Sequence, residues 1–518
     1  MNSDDWNFAI AVTSQLSRSP SDQLPPAGMV LALGLLTSFA AWATPGALSC
    51  DEHFQVFEYA RFLMGQVRAG DLAWEFSQRI RPLLQPLSVS WILEAAQFAG
   101  LKSPFDQALC LRLVNGLLCA FMVGWLAWVV TAEVATKRRR WVWLTSQGLF
   151  FIPILNAHPM SEVWGGVCLA AAISVLISWN GAKNQAPPEG SLASDRQERG
   201  ICEALLIGAL AALSFVFRYQ MAFALVGFFL WLAIVSRRSM VFLLVALAAF
   251  TIVLGGATLA DGILYQQLTF APWRYFDVNI LQGRAADFGV EPFYQYGLWL
   301  FTKFPLPFGP LIVTSTVWFV LKRPKHVLSW VLVPFLVLHC ILGHKEIRFL
   351  YPMAPIVAAM FAVSLAGLVD MPQLSSRNRR RAAITLFLLL NTAAAVESVS
   401  MLRPRITHLA EAIKRYPNGF RLFWSGDDPT ILCSRRMWGY LPPGSAVAPF
   451  AEFSRPSVVF VEYDMGPARP GEQLLAYKCS KMSVGPIEVI QDHGFGARMK
   501  REVFDCDAGP IEKGSATP

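Results

Sequence analysis

The chain has 518 residues, of which 54% are hydrophobic and only 15% are charged, and its formal net charge is +8. Because an ordinary soluble domain carries about 25% charged residues, this composition excludes a disordered chain, a collagen-like fibre and a small disulfide-knit secreted module, and it indicates an integral membrane protein. The basic excess is typical of the Lys and Arg that membrane proteins keep on their cytoplasmic side, so it does not indicate nucleic-acid binding.

The few charges divide the chain into apolar stretches close to the length of a membrane-spanning helix, about 20 residues. We predict eleven such helices, in an α-helical polytopic membrane protein. They cover 28–50, 113–132, 141–161, 163–182, 204–217, 219–236, 239–260, 304–321, 327–343, 349–369 and 382–401. The stretch 204–217 is the shortest, and only Arg218 separates it from the next one.

Lys and Arg in short loops mark the cytoplasmic side of a membrane protein. Basic clusters lie at 137–140, 237–238, 322–325 and 377–381, each after an even-numbered predicted helix. The pattern therefore predicts a cytoplasmic N-terminus. Asp4 and Asp5 precede any Lys or Arg, and no small-residue cleavage site follows a short apolar core, so we predict no signal peptide. The polar stretch 183–201 also falls on the cytoplasmic side and reads as a flexible loop. The first external loop (51–105), the second external loop (261–303) and the tail then lie on the periplasmic or lumenal side.

The tail, 402–518, is more polar than the rest, and we predict that it is a small soluble α/β domain separate from the membrane part, 1–401. Residues 403–416 are compatible with a helix, and 420–424 and 458–463 read as short buried strands. In an oxidising exterior compartment two of the three tail cysteines, Cys433, Cys479 and Cys506, could pair, and the sequence leaves open which two. The remaining cysteines, including Cys50, read as small buried apolar residues.

The first external loop opens with Asp51, Glu52 and His53, directly after the first predicted helix. Two carboxylates and an imidazole at a membrane surface suit a general base. The alternative is that Asp51 caps a helix running through Phe54 and Phe57. Further on, the stretch with Trp74, Glu75, Arg79 and Arg81 mixes aromatic, apolar and Arg residues, which suits an interfacial helix in the lipid headgroup layer. The alternative is that Arg79 and Arg81 are ordinary headgroup anchors.

A second concentration of charge, His344-Lys345-Glu346-Ile347-Arg348, lies at the outer mouth between two predicted spans. A helical turn would bring His344 and Arg348 to one side, where Arg and Lys suit the oxygens of an anionic lipid phosphate. The alternative is a salt-bridged corner that uses Glu346. Arg218 stands alone between apolar stretches, either as a functional charge or as an end-of-helix residue that reaches the headgroups.

Several classes of chemistry have no support in the sequence. His53, His158 and His344 have no zinc-binding spacing, so we predict no metal. No Walker A loop, dinucleotide-binding loop or serine nucleophile elbow is present, and we predict no cofactor.

The stretch HKEIRFLYP (344–352) closely resembles the HKEERFLFP-type signature of glycosyltransferase family 22, the mannosyltransferases of GPI-anchor and dolichol-linked oligosaccharide assembly. Asp51-Glu52 resembles the family's Pro-Asp-Glu motif, with Cys50 in place of Pro. The first-loop residues 74–82 are also similar to a family segment, and Asp261 and Tyr265 loosely follow a later one. Arg218 lies where the family has Arg-Pro-Thr, but Tyr219-Gln220 follow it here. These departures are typical of a distant, bacterial member.

The resemblance implies a GT-C membrane fold and inverting transfer of a sugar, typically mannose, from a polyprenyl-phosphate donor to a lipid-linked or glycan acceptor. It implies that Asp51 is the base, with Glu52 second, and that His344, Lys345, Arg348 and Arg218 bind the donor phosphate. It implies substrate contacts for His53, Trp74, Glu75, Arg81 and Glu346. The membrane would be a bacterial inner membrane, or that of the endoplasmic reticulum.

Two other functions stay open at this point. A transporter or flippase for a lipid-linked sugar would have the same composition, but such proteins commonly carry polar residues within their spans. The tail could also be a partner-binding module anchored by the membrane part, for which eleven helices are excessive.

Overall fold

A computed structural model describes residues 25–133, 136–183, 193–369, 376–401, 405–442, 444–454, 456–464, 474, 479–482 and 499–506. Within these residues six helices are long and apolar enough to cross a membrane: Pro104–Val130, Ser161–Trp179, Glu198–Phe217, Met240–Leu264, Ile347–Ala366 and Arg381–Val399. Four shorter helical stretches, Ala27–Ala43, Tyr219–Ile234, Phe308–Lys322 and Val327–Ile341, are also apolar. The prediction of an α-helical integral membrane protein is confirmed, while the count of eleven spans stays a prediction.

The secondary structure is dominated by α-helices. Their bounds are Ala27–Ala43, Glu58–Leu63, Trp74–Gln78, Leu84–Phe98, Pro104–Val130, Thr136–Gln147, Phe151–Ala157, Ser161–Lys183, Ala193–Phe217, Ala222–Ile234, Met240–Leu264, Ala271–Phe276, Gln295–Thr302, Phe308–Lys322, Val327–Ile341, Ala354–Val369, Arg377–Met401 and Ala410–Arg415. Two π-helical turns, Glu52–Phe57 and Asp277–Leu281, and several 3₁₀ turns, including Tyr219–Met221, Ile347–Met353 and Trp438–Tyr440, connect them.

The chain divides into two compact units, each built from three segments. The first unit consists of Met1–Ser38, Glu75–Gln85 and Asn115–Ala395. The second consists of Phe39–Trp74, Pro86–Val114 and Val396–Pro518. The predicted tail domain therefore shares one unit with two parts of the first external loop, and its place on the non-cytoplasmic side stays a prediction.

The first unit is a helical bundle in which small residues allow close helix contacts. Ala193–Phe217 packs against both Ser161–Lys183 and Met240–Leu264. A methyl group added at Gly208 would lie 2.8 Å from the backbone carbon of Ala246, so this crossing requires a residue without a side chain. Such small-residue contacts are how membrane helices associate when lipid removes the usual hydrophobic driving force.

Two stretches of the first unit depart from the sequence prediction. The predicted span 141–161 is covered by two helices, Thr136–Gln147, which begins before it, and Phe151–Ala157, with a break between them. The side chain of Asn391 bonds the freed backbone groups, since it accepts from the Phe150 N–H (2.9 Å) and donates to the Gly148 carbonyl (2.7 Å). An apolar environment tolerates broken helices only with such replacement partners.

The second departure concerns the predicted loop at 183–201. The helix Ala193–Phe217 begins inside it and extends the short predicted span 204–217 toward its N-terminus. Residues 184–192 of the predicted loop lie outside the described part of the chain.

The second unit contains a five-stranded sheet. The seven strands of the described tail are β1 (Arg421–Ser425), β2 (Ile431–Leu432), β3 (Arg435–Arg436), β4 (Ala446–Pro449), β5 (Ser457–Asp464), β6 (Ser480–Lys481) and β7 (Met499–Cys506). The sheet order is β4-β1-β5-β7-β6, with β1 parallel to β4 and β5, and β7 antiparallel to β5 and β6. Both strands predicted in the tail are therefore present, as β1 and β5.

Two disulfides join segments of the second unit. Cys479 pairs with Cys506 at the sheet, which resolves part of the pairing that the sequence left open. Cys433 pairs with Cys50, a residue that the sequence had suggested was a buried apolar thiol. The predicted helix 403–416 is present as a 3₁₀ turn, Arg405–Leu409, followed by the α-helix Ala410–Arg415.

Candidate functional site

The predicted base, Asp51, stands at the start of a π-helical turn in the second unit. It precedes the turn Glu52–Phe57, which continues into the α-helix Glu58–Leu63. Its side chain is partly exposed and makes no capping hydrogen bond to the turn. The helix-cap interpretation of Asp51 is therefore not realised. π-Helical turns are rare in proteins, and those that occur are frequently found at functional sites. The position of Asp51 is therefore compatible with a chemical role.

The two neighbours of Asp51 are more deeply buried. The Glu52 carboxylate accepts a hydrogen bond from the Leu48 N–H (2.6 Å), so it holds the chain that enters the turn. His53 is 1% exposed, and its Nε2 lies 3.1 Å from Oε1 of Glu58. Of the three residues singled out by the sequence here, Asp51 has the most accessible side chain.

In the first unit, the second predicted site does not form the expected helical turn. Glu346 is extended, with φ −136° and ψ 145°, and the 3₁₀ turn Ile347–Met353 begins after it. His344 and Arg348 nevertheless meet, because both bind the Glu346 carboxylate. His344 Nε2 lies 3.2 Å from Oε1, and Arg348 contacts both oxygens at 2.6 Å. This is the salt-bridged corner that the sequence left as the alternative.

The hydrogen bonds of this corner determine its charge. Burial opposes ionisation of Glu346, but hydrogen bonds from His344 and Arg348 outweigh it and lower the pKa of the carboxyl to about 2. The hydrogen bond to Glu346 in turn raises the pKa of His344 above its ordinary value. The Nδ1 of His344 also faces an acceptor, the Gly289 carbonyl at 2.9 Å. Since both ring nitrogens face acceptors, the geometry fits the protonated imidazolium, which donates from both.

Lys345 serves the same corner from inside the protein. It is 4% exposed, and its Nζ donates to the carbonyl of Glu291 (3.1 Å) and to that of Leu342. Together with the His344–Gly289 contact, these bonds fasten the corner to the second external loop. Sequence reasoning missed Gly289 and Glu291, because backbone carbonyls leave no sequence signal.

Arg218 is paired, in contrast to its isolated position in the sequence. It is 4% exposed and lies 3.2 Å from the carboxylate of Glu162, which is 1% exposed. Its guanidinium also lies 5.2 Å above the ring of Phe349, within the signature stretch. Arg218 is therefore not an end-of-helix residue that reaches the headgroups, and it contacts the residue next to Arg348.

A glycine sets the position of the same signature stretch. Gly166, in the helix Ser161–Lys183, packs directly against the backbone of Pro352. An added methyl group would lie 2.7 Å from the Pro352 Cα and nearer still to its carbonyl oxygen. The helix can approach the 3₁₀ turn this closely only because position 166 has no side chain.

The remaining predicted substrate residues, Trp74, Glu75 and Arg81, lie in the first external loop. Glu75 and Arg81 belong to the first unit and are 3.9 Å apart, a loose ion pair. Arg81 also lies 5.6 Å above the ring of Tyr275, and its carbonyl accepts a hydrogen bond from Tyr265 (2.9 Å). Trp74 belongs to the second unit, at the start of the helix Trp74–Gln78.

The second external loop thus supports the segment that carries Glu75 and Arg81. Asp261 accepts a hydrogen bond from the Leu83 N–H (2.8 Å), and Arg274 donates to the Gln78 carbonyl. Within the part of the chain that the structure describes, no three His, Cys, Asp or Glu side chains are grouped as metal ligands.

Residues 29–414 match the model of the Alg9-like mannosyltransferase family. The chain belongs to this family. The match contains both the Asp51 turn and the signature stretch 344–352, so the resemblance noted in the sequence is confirmed. The five-stranded sheet and the strands β2 and β3 lie beyond the family match.

Individual relatives of this mannosyltransferase-family chain are distant. The mannosyltransferase APTG1 of Arabidopsis thaliana is 24% identical over 309 residues, covering 59% of this chain and 52% of the plant protein. The GPI mannosyltransferase 3 of Yarrowia lipolytica is 25% identical over 328 residues, covering 62% of this chain and 60% of the yeast protein. The matches thus span between half and two thirds of the length of these relatives.

Among solved structures, the chain is similar to ArnT from Cupriavidus metallidurans bound to undecaprenyl phosphate. That comparison covers 93% of this chain and 98% of the other, at 13% identity and a TM-score of 0.48.

Proposed function

We propose that this protein is an inverting membrane mannosyltransferase of the GT-C type that uses a polyprenyl-phosphate-linked sugar donor. The acceptor is a lipid-linked sugar or a glycan on the periplasmic or lumenal face. The observation that carries the proposal is the family match over residues 29–414, which contains both motifs of the predicted site.

In this reaction Asp51 takes the proton of the acceptor hydroxyl as that oxygen attacks the anomeric carbon of the donor. A general base must be within reach of the proton that it takes. Asp51 is partly exposed, whereas Glu52 and His53 are buried. We therefore assign Glu52 and His53 to holding the turn that carries the base, and Asp51 to the proton transfer.

The leaving group is a lipid phosphate, whose developing negative charge needs cations. The His344 corner has three basic side chains against the single carboxylate of Glu346, so it keeps a positive excess when His344 is protonated. Arg348 presents a planar fork suited to phosphate oxygens. Glu346 holds the Arg348 guanidinium in place before the donor binds, and the donor phosphate then competes with Glu346 for that guanidinium.

The other predicted contacts have supporting roles in the proposal. Arg218 holds Phe349 beside Arg348 while remaining paired with Glu162. Glu75 and Arg81 offer polar groups to the sugar or the acceptor, and Trp74 offers an aromatic face. The protein would act in a bacterial inner membrane or in the endoplasmic reticulum membrane.

A transfer assay tests the proposal. The protein purified in detergent is given a synthetic polyprenyl-phosphate mannose and a set of lipid-linked and glycan acceptors, and products are identified by mass spectrometry. We expect Asp51→Asn to lower kcat by about 10²- to 10⁴-fold, the usual contribution of a general base. Asp71→Asn, on the same external loop, is the matched control and should keep wild-type turnover.

Two outcomes would contradict the proposal. Equal turnover of Asp51→Asn and wild type would reject Asp51 as the base. Movement of a lipid-linked sugar across liposome membranes without any transfer product would favour the flippase function over the transferase.

A further inference from the structure

A segment beyond the family match holds the turn that carries Asp51. The hairpin of β2 and β3 pairs Ile431 with Arg436 and Leu432 with Arg435, which leaves Cys433 and Ser434 as its two-residue tip. Both tip residues have positive φ, 47° and 63°. Such a turn favours Gly and Asn and is strained for other residues. Its tip forms the disulfide to Cys50, the residue directly before Asp51.

The same hairpin makes a second set of contacts to the first external loop. Arg435 donates to the carbonyls of Asp71 and Leu72, both at 3.0 Å. Its guanidinium also lies 5.6 Å above the ring of Phe54, inside the π-helical turn. The hairpin is therefore attached to the turn at Cys50 and at Phe54, on both sides of Asp51 in the sequence.

Tyr440, a few residues later, covers the aromatic side of the turn. Its buried ring stacks on His53, with centroids 5.4 Å apart and planes 11° apart. It also stacks on Phe57 at 5.1 Å and on Phe105 at 4.8 Å. The imidazole of His53 therefore has one face fixed by Tyr440.

The edge of the same imidazole is held by Glu58. This carboxylate is fully buried, and its Oε1 lies 3.1 Å from His53 Nε2. The same oxygen lies 3.4 Å from the N–H of Gly439, the residue before Tyr440. Burying a carboxylate beside an imidazole is costly unless the geometry is well satisfied, and an apolar pair would serve packing alone at least as well. The His53–Glu58 pair therefore points to a requirement for a fixed orientation of the His53 ring.

We propose that Tyr440 and Glu58 are positioning residues for Asp51, acting through His53. This inference rests on the proposed function of Asp51 as the base. With Cys50 linked to the hairpin and the His53 ring held on its face and edge, the backbone of Asp51 is confined from both sides. A base displaced by about 1 Å loses about 100-fold in rate, so this clamp matters for turnover more than for substrate binding. The hairpin and Tyr440 lie beyond the residues that the family model matches, whereas Cys50, His53 and Glu58 lie within them.

The test compares two buried aromatic residues of the second unit. Tyr440→Leu removes the stacking on His53, whereas Phe423→Leu makes a similar cavity in the core of the sheet, where Phe423 packs with Val459 and Phe504. We expect Tyr440→Leu to lower kcat about 10- to 100-fold with little change in the donor KM. Tyr440→Phe, which keeps the ring, should recover most of that loss, and Phe423→Leu should keep the wild-type kcat.

Hydrogen exchange of the detergent-solubilised protein gives a readout that does not depend on activity. We expect Tyr440→Leu to lose amide protection at residues 52–58, whereas Phe423→Leu keeps it. If kcat falls equally in both Leu variants, or if the protection of 52–58 is the same in both, the positioning role is overturned. If the wild type transfers no sugar but the exchange contrast is found, the proposed function fails and the clamp on the Asp51 turn stands.

Discussion

The two regions of the predicted site are stabilised in different ways. The corner around Glu346 is held by charge, since one carboxylate binds His344 and Arg348 and the buried Lys345 donates to carbonyls. The turn after Asp51 is held by the stacking of Tyr440 on His53, by the buried His53–Glu58 contact and by the Cys50–Cys433 disulfide.

The two regions should therefore respond differently to mutation and to solution conditions. Most partners in the charged corner are neighbours in sequence, so a change there acts locally and depends on pH and ionic strength. The Asp51 turn depends on residues nearly 400 positions away, because Cys50 and Cys433 are separated by 383 residues. Damage to the tail should therefore reach the proposed base, while the charged corner should tolerate it.

The largest expected effect comes from removing the disulfide of the Asp51 turn. We expect Cys50→Ser combined with Cys433→Ser to lower the free energy of unfolding by about 2–4 kcal/mol, because the cross-link no longer restricts the unfolded chain. Thermal melts in detergent measure the loss. The matched pair Cys479→Ser and Cys506→Ser should also destabilise the protein but keep amide protection at 52–58. Wild-type melting of the first double variant would contradict the dependence of this turn on the tail.

The next effect concerns the packing beneath the charged corner. We expect Gly166→Ala to destabilise the protein by about 1–3 kcal/mol, since the added methyl group meets the Pro352 backbone and the 3₁₀ turn Ile347–Met353 must shift. The affinity for the donor should also fall, because this turn carries Arg348. Gly255→Ala is the control, because a methyl group there meets no atom within 4 Å. Equal melting temperatures for the two variants would show that the helix Ser161–Lys183 does not support the charged corner.

Much of the membrane fold could be predicted from the sequence, because long apolar stretches between charges have few alternatives in a membrane. The break at Gly148 could not, since it depends on Asn391, more than 200 residues later. The strands β1 and β5 were predictable because buried strands are short, apolar and bounded by turn residues.

The site was only partly predictable, for physical reasons that differ between its regions. Motif residues such as Asp51 and Arg348 are chemically distinctive, so the sequence could name them. The contacts that surround these motif residues could not be predicted from the sequence. The pairing of Arg218 with Glu162 and the stacking of Tyr440 on His53 join residues distant in sequence. The sequence also suggested a helical turn at 344–348, whereas the bonds to the second external loop hold an extended chain there.

A smaller effect is expected where Arg348 faces the proposed phosphate. Arg348→Lys keeps the charge but loses the planar fork, so we expect the donor Kd to rise about tenfold, equivalent to about 1.4 kcal/mol. Titration with a non-transferable polyprenyl phosphate measures the affinity. Arg284→Lys, at an exposed ion pair with Asp287, is the control and should leave the Kd unchanged. A similar rise in both variants would indicate nonspecific electrostatic attraction.

The smallest expected effect is a pH dependence confined to the charged corner. The pKa of His344 is raised above its ordinary 6.5, so its protonation stabilises the fold fully below about pH 6.5 and less as the pH rises through the raised pKa. The pKa of Glu346 is lowered from 4.5 to about 2, so its contribution is complete above pH 4.5 and is lost as the pH falls toward 2. Both contributions are therefore complete between about pH 4.5 and 6.5.

Thermal melts of wild type and His344→Gln from pH 5.5 to 8.5 measure the effect. The melting temperature of wild type should exceed that of His344→Gln most at about pH 5.5. The two melting temperatures should converge toward pH 8.5 as His344 loses its proton. In the Glu346→Gln background the pH dependence of the difference should largely disappear, because the carboxylate that raises the His344 pKa is gone. Tyr440→Leu, in the other region, should keep the dependence. A constant difference in melting temperature from pH 5.5 to 8.5 would mean that the charge of His344 does not stabilise the corner, and the contrast between the two regions would be lost.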